Sequence, residues 1–293
     1  MLTWTGAGAT PRPKALQIRL QRSYPGRVRA GAPVPTRSMS TEEVEANLRH
    51  FTAQTPRGAP VESVVFSGVG AASRADLPGL CALARSLGVR RVTLHAGVED
   101  LEGMAPAALP VDLLVLPLQP GESGATLAAG ARALAGANAA GVPVVANAVL
   151  SSAALPLLPA IGRVAVAGRA RSLAISFPFP VDGATASEAP PAPRAVAALR
   201  EVVPAVEAGG VAVSLKGLPA CYLGELARLL TRTANRWYVD ADHQLDKALM
   251  FFPDVVAFHK DEGCRFCARD GECDGFFANY LRRPGFPALK AVG

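Results

Sequence analysis

Short runs of Val, Ile and Leu alternate along this chain with stretches whose apolar residues recur every three or four positions. ALQIRLQ (15–21), ESVVFSG (62–68), RRVTLHAG (90–97), DLLVLPL (112–118), PVVANAVL (143–150), SLAISFPF (172–179) and VAVSLKG (211–217) read as strands. Between them the pattern predicts helices over 40–54, 75–88, 125–141, 154–168 and 193–210, and a short one in 100–108. Ser40 followed by Glu43 has the form of a capping box and marks where the first helix starts. Strands that are apolar throughout are buried on both faces, so the series predicts an α/β fold with a parallel sheet covered by helices. Right-handed crossovers then leave a doubly wound sheet or a barrel. Repeated strand–helix units followed by a tail point to an open parallel (βα)6 partial barrel over 15–217. Residues 1–14 read as a flexible N-terminal segment, and 218–293 as a small cysteine-rich C-terminal extension.

Composition narrows the field. The 293 residues suit one α/β barrel, and a hydrophobic fraction of 50% can fill a large core. Pro, Gly or Arg interrupts every apolar run before the ~20 residues a membrane span needs. The opening MLTWTGAGATPRPK lacks a charged segment followed by an apolar one, so no secretory signal is expected and the reading is a cytoplasmic protein without a membrane. The net charge is +6, but the basic residues are scattered and few aromatics sit among them, which argues against nucleic acid. One exception is Arg12 to Arg37, with seven basic residues and no acidic one. No dinucleotide fingerprint, phosphate-binding loop or nucleophile elbow is found.

The chemistry-bearing feature is GCRFCARDGECDG, residues 263–275. Cys264, Cys267 and Cys273 form C-x2-C-x5-C, and Cys221 lies upstream in GLPACYLG, directly after a predicted strand. Two cysteines two residues apart can reach one metal from a tight turn. Four thiolates complete either a tetrahedral zinc site or an iron–sulfur cluster. In a reducing compartment such clusters are metal ligands rather than disulfides. Gly263, Gly271 and Gly275 are expected to let the backbone wrap closely round the metal. His243 and His259 read as ordinary histidines rather than ligands. Cys81 falls on the apolar face of a predicted helix and reads as core.

These residues resemble the radical S-adenosylmethionine superfamily. The strand ending VVFSGVG and the tail GLPACYLG…GCRFCARDGECDGFFANYL carry the resemblance, and the tail is similar to the auxiliary-cluster extension of its SPASM and twitch members. The resemblance implies an open six-unit barrel and one 4Fe-4S cluster in the tail. It also implies a CxxxCxxC loop after the first strand, yet residues 22–40 contain no cysteine. The family's GGEP motif is matched by Gly68, Val69, Gly70 and Ala71, without the Glu and Pro. Two features that hold S-adenosylmethionine are therefore absent. The family's larger tail has a further cysteine where this chain has Phe277, so one auxiliary cluster is expected.

Three functions follow. The first is a radical-SAM-like iron–sulfur protein that has lost radical initiation and serves as a binding or partner subunit in peptide or protein modification or cofactor maturation. There, Arg22, Arg27, Arg29 and Arg37 are candidates for an anion at the barrel mouth. The second is an enzyme of other chemistry, with His95 as general base oriented by Asp100 or Glu99, and Asn147 and Ser176 nearby on strands. The third is a zinc-stapled structural or interaction protein of the same fold. FFANYLRRPGF, at 276–286, is expected to cover the metal site.

Overall fold

The computed structural model describes residues 13–21, 37–53, 60–68, 70–101, 109–118, 125–178, 188–232, 235–251 and 258–293. Its strands are β1 Ala15–Arg19, β2 Ser63–Ser67, β3 Arg91–His95, β4 Leu113–Pro117, β5 Val144–Val149, β6 Ser172–Ser176, β7 Ala212–Lys216, β8 Arg236–Val239 and β9 Leu249–Phe251, with the short pair β10 Phe258–His259 and β11 Phe276–Phe277. Helices intervene as expected: α1 Thr41–Thr52, α2 Leu77–Ser86, α3 Ala125–Ala139, α4 Leu158–Ala167 and α5 Ala192–Ala208, then the single turns α6 Ala220–Leu223 and α7 Ala278–Leu281. Of the short helix expected in 100–108, a 3-10 turn covers Glu99–Leu101, and 102–108 lie outside the described residues. This is a mostly parallel α/β fold. The chain divides into two compact units, the first comprising Met1–Leu116, Ala139–Pro143 and Ala234–Phe252, and the second the remainder.

In the first unit β1 is central, with β2 and then β3 on one side and β8 on the other, all parallel. Leu16, Ile18, Val64, Phe66, Val92 and Leu94 alternate along these strands onto one face and are completely buried. The strand RWYV of β8 lies inside the stretch read above as extension. It pairs Leu16 with Trp237 and Ile18 with Val239, and β9 joins it antiparallel.

The first helix starts where its capping box predicts. The Ser40 hydroxyl accepts from the Glu43 N–H, and the Glu43 carboxylate accepts from the Ser40 N–H. Arg74 forks onto Asp76 and reaches the Met39 carbonyl, while Thr41 donates to the same carboxylate. These bonds tie the starts of α1 and α2 together. Asn47, fully buried on α1, donates to the Glu43 carbonyl and to Gln244 and accepts from the Leu245 N–H at 2.8 Å.

In the second unit β6 lies between β5 and β7, again parallel. Helix α4 packs closely on α5. A Cβ at Gly162 would come within 2.9 Å of Val206 and 3.0 Å of Val202, so only glycine permits that approach. Strand β7 ends at Gly217, whose φ of +79° turns the chain out of the sheet and toward α6.

Two outcomes test this packing. Asn47→Ala removes a buried amide and strands the Leu245 N–H, so it is expected to cost about 2–3 kcal/mol in urea denaturation; a loss below about 0.5 kcal/mol contradicts the bonding described. The hydrogen bonds from Arg74, then Thr41, hold the Asp76 carboxyl down to about 2, against burial, from an ordinary 3.8. A depressed folded-state value gives stability that is present above pH ~4 and lost as pH falls through ~2. Asp76→Asn should therefore flatten the acid limb of the stability profile in that window, and an unchanged limb contradicts it.

Candidate metal centre

Cys221, Cys264, Cys267 and Cys273 line one cavity in the second unit, with Lys260, Asp270 and Leu289 among its walls. Two stretches of chain deliver them. Gly217 and Pro219 lead from β7 into the single turn Ala220–Leu223, which carries Cys221 and ends at Gly224 with φ +58°. The other three come from a run of tight turns. The Cys264 N–H bonds the Asp261 carbonyl, Cys267 bonds back to Cys264, Asp270 to Cys267, and Cys273 to Arg269. The C-x2-C spacing thus spans one turn of the 3-10 segment Glu262–Phe266, and the next turns bring Cys273 back.

Each sulfur receives backbone N–H groups. Cys273 accepts from Ala220 at 3.4 Å and Gly275 at 3.3 Å, and Cys267 accepts from Arg269 at 3.4 Å and Val292 at 3.3 Å. Burial pushes the Cys221 thiol up, the Lys290 backbone N–H pulls it back, and Cys273 and Cys264 push it further. Burial also raises Cys264, opposed by the Asp261 backbone and reinforced by the Asp261 charge and the neighbouring thiols. Residues 290–292 fold over the site, where the Ala268 N–H bonds the Val292 carbonyl. Lys260 is held at the wall by the Asp270 carboxylate at 2.7 Å and carbonyl at 2.8 Å.

Among the described residues, no three His, Cys, Asp or Glu side chains converge tightly enough to hold a single metal ion. The fifth cysteine, Cys81, is completely buried in α2, where burial pushes its thiol up to about 11. His243 pairs with the buried Asp240 at 2.9 Å and His259 with Asp261 at 2.7 Å; neither lines the cavity.

Several residues do other work than expected. Of the three glycines, Gly275 alone meets the backbone closely. It has φ +88°, and a Cβ there would lie 2.3 Å from the His259 carbonyl oxygen, whereas Gly263 and Gly271 face open space. The terminal aromatics do not line the site. Phe276, Tyr280 and Phe286 are buried against Phe177, Phe277 is buried beside Phe276 and Tyr280, and the Tyr280 hydroxyl donates to the Pro178 carbonyl at 2.9 Å. They form a packing nucleus that anchors the tail. Phe277 stacks on Phe258 at 4.4 Å.

At the ends of the first unit's strands, Asp100 accepts from the Gly70 N–H at 2.9 Å and the Gly97 N–H at 3.2 Å. Its carboxylate ties these two loop amides together. Gly68 has φ +120°, and a Cβ there would sit 2.7 Å from the Gln21 carbonyl oxygen. Arg37 is engaged by Glu43 and the Ala241 carbonyl, which removes it from the expected anion site. Arg22, Arg27, Arg29 and Val69 lie outside the described residues. Phe266, between two of the cysteines, is 76% exposed with Arg265 over its ring, a feature the spacing did not signal.

No protein-family model and no curated protein matches the chain. Solved structures do. Streptococcus suis SuiB bound to S-adenosylmethionine aligns over 93% of this chain and 75% of its own, with 13% identity and a TM-score of 0.59. The anSMEcpe protein with bound AdoMet aligns over 96% and 90%, with 11% identity and a TM-score of 0.58. The chain shares its fold with these two structures. SuiB bound to the precursor peptide SuiA aligns over 79% of this chain and 58% of its own, with 14% identity and a TM-score of 0.57. At these identities the likeness is one of fold. Among the described residues no helix is long and apolar enough to cross a membrane.

The glycine geometry gives a paired test. Gly275→Ala is expected to destabilise the protein by at least about 2 kcal/mol, because both φ and contact oppose a Cβ. Gly263→Ala should stay within about 0.5 kcal/mol. Equal effects in thermal denaturation contradict the assignment of Gly275 as the point of close approach.

Proposed function

We propose that this chain is an iron–sulfur protein on a radical S-adenosylmethionine fold, with one 4Fe-4S cluster held by Cys221, Cys264, Cys267 and Cys273. The observation that carries this reading is a single cavity ringed by four thiols, with backbone N–H groups directed at the sulfurs. Such bonds steady thiolate ligands and set the potential of a cluster. Four thiolates would also complete a zinc site; the likeness of the tail to an auxiliary-cluster extension favours the cluster. When bound, the cluster supplies one-electron exchange. The chain's own residues hold it, exclude water with Leu289, and place the Lys260 cation at its wall.

The reading includes loss of radical initiation. Residues 22–40 hold no cysteine, and Gly68–Ala71 lacks the Glu and Pro of the family loop. The chain then acts as a binding or partner subunit in the modification of a peptide or protein, or in cofactor maturation. Support for a peptide comes from SuiB, solved with its precursor peptide on the same fold.

The test uses protein purified without oxygen. About four iron and four sulfide per chain are expected, with a visible absorption band that Cys267→Ala removes. With dithionite and S-adenosylmethionine, no 5′-deoxyadenosine should form. One zinc and no iron contradicts the cluster, and turnover of S-adenosylmethionine contradicts the loss of radical initiation.

A further inference from the structure

One wall of the cysteine cavity carries a charged side chain that is held at both ends. Beside the four cysteines the cavity is lined by Lys260, Asp270 and Lys290. The Lys260 ammonium donates to the Asp270 carboxylate at 2.7 Å and to the Asp270 carbonyl at 2.8 Å. Both acceptors belong to one residue, midway between Cys267 and Cys273, whose N–H is bonded back to the Cys267 carbonyl. The head of the lysine is therefore fixed to the turns that carry two of the sulfurs. Its stem is seated as well. A Cβ at Gly275 would lie 2.9 Å from the Lys260 Cγ, so glycine lets the stem lie against the backbone that follows Cys273. Ordering a long, flexible side chain at head and stem costs conformational entropy that an ordinary surface ion pair scarcely offsets.

Exposure separates the charges on this wall. The Lys260 side chain is 32% exposed and that of Asp270 46%. Water therefore screens the carboxylate more than the ammonium, and the pair is not electrically silent toward the cavity. Lys290, the other cation of the lining, is exposed. Four thiolates give a bound cluster an excess of negative charge, and each electron added to it increases that excess. A cation fixed beside such a group favours its reduced form, since net charge is one of the terms that set a cluster's potential.

We propose that Lys260, clamped by Asp270, raises the reduction potential of the cluster in this cavity. The inference rests on the cluster reading given above and names the residue that tunes it.

The experiment is a redox titration of the full chain, purified without oxygen and assayed first for iron and sulfide. Dithionite supplies the electron, ferricyanide removes it, and electron paramagnetic resonance follows the reduced cluster. Lys260→Met keeps the stem and removes the charge. It is expected to lower the ratio of reduced to oxidised cluster about tenfold at a given applied potential, a midpoint lower by about 59 mV. Asp270→Asn removes the opposing charge and keeps the carbonyl that holds the ammonium, so it should move the midpoint the other way. Mere loosening of the turns would move both variants in the same direction. Lys290→Met should shift the midpoint less than Lys260→Met. If Lys260→Met is isolated without iron, Asp270→Asn decides alone, and its midpoint must rise. Midpoints that stay put, that move together, or that respond as strongly to Lys290 overturn the role of Lys260 while leaving the cluster in place. Absence of iron from the wild type overturns the cluster and this inference with it.

Discussion

Four thiols around one cavity impose a charge problem that organises the tail of this protein. Each thiolate raises the cost of forming the next, and burial raises it further, as Cys221 and Cys264 record. The protein answers with oriented backbone N–H groups, drawn from positions 220, 269, 275 and 292, on the sulfurs of Cys267 and Cys273. Segments far apart in the chain therefore meet at the sulfurs. In the proposed site, a cluster between the thiolates would complete the balance that the amides begin.

The fold supplies the geometry at the end of β7. Gly217 turns the chain out of the sheet, and Ala220 then presents its N–H to Cys273 one residue before Cys221. On the tail side Gly275 presses against the His259 carbonyl as β11 begins. The buried aromatics Phe276, Tyr280 and Phe286 fasten that segment to Phe177, just after β6. Aromatic packing thus fixes where the tail lies, and the turns of 261–273 fix where its sulfurs point.

Much of this was legible from sequence, for identifiable reasons. The apolar runs become strands because their Val, Ile and Leu residues are buried at alternate positions, as in β1, β4, β5 and β6; the other face is only half-buried, not covered on both sides as the runs suggested. Ser40 and Glu43 mark the start of α1 because the capping box is local. Strand β8 escaped notice, since RWYV carries polar and half-buried residues and gains its place by pairing with β1, a contact more than 200 residues away in sequence. Glycine content did not reveal which glycine is needed; φ and the neighbour at Gly275 decide that, and both are tertiary. Arg37 read as a candidate anion ligand because Glu43 and Ala241 come to it only in the folded chain. The cysteine spacing pointed to a metal, while the N–H groups from Ala220 and Val292 had no mark in the spacing.

The membership of Cys221 is the central claim, because it lies 43 residues before its partners and joins them only through the fold. Native mass spectrometry of anaerobically purified protein tests it most directly, comparing wild type with Cys221→Ala and Cys81→Ala. Wild type and Cys81→Ala should carry the added mass of four irons and four sulfides, and Cys221→Ala should lose it or retain a partial cluster. An unchanged cluster mass in Cys221→Ala, or a single zinc in wild type, would contradict the account.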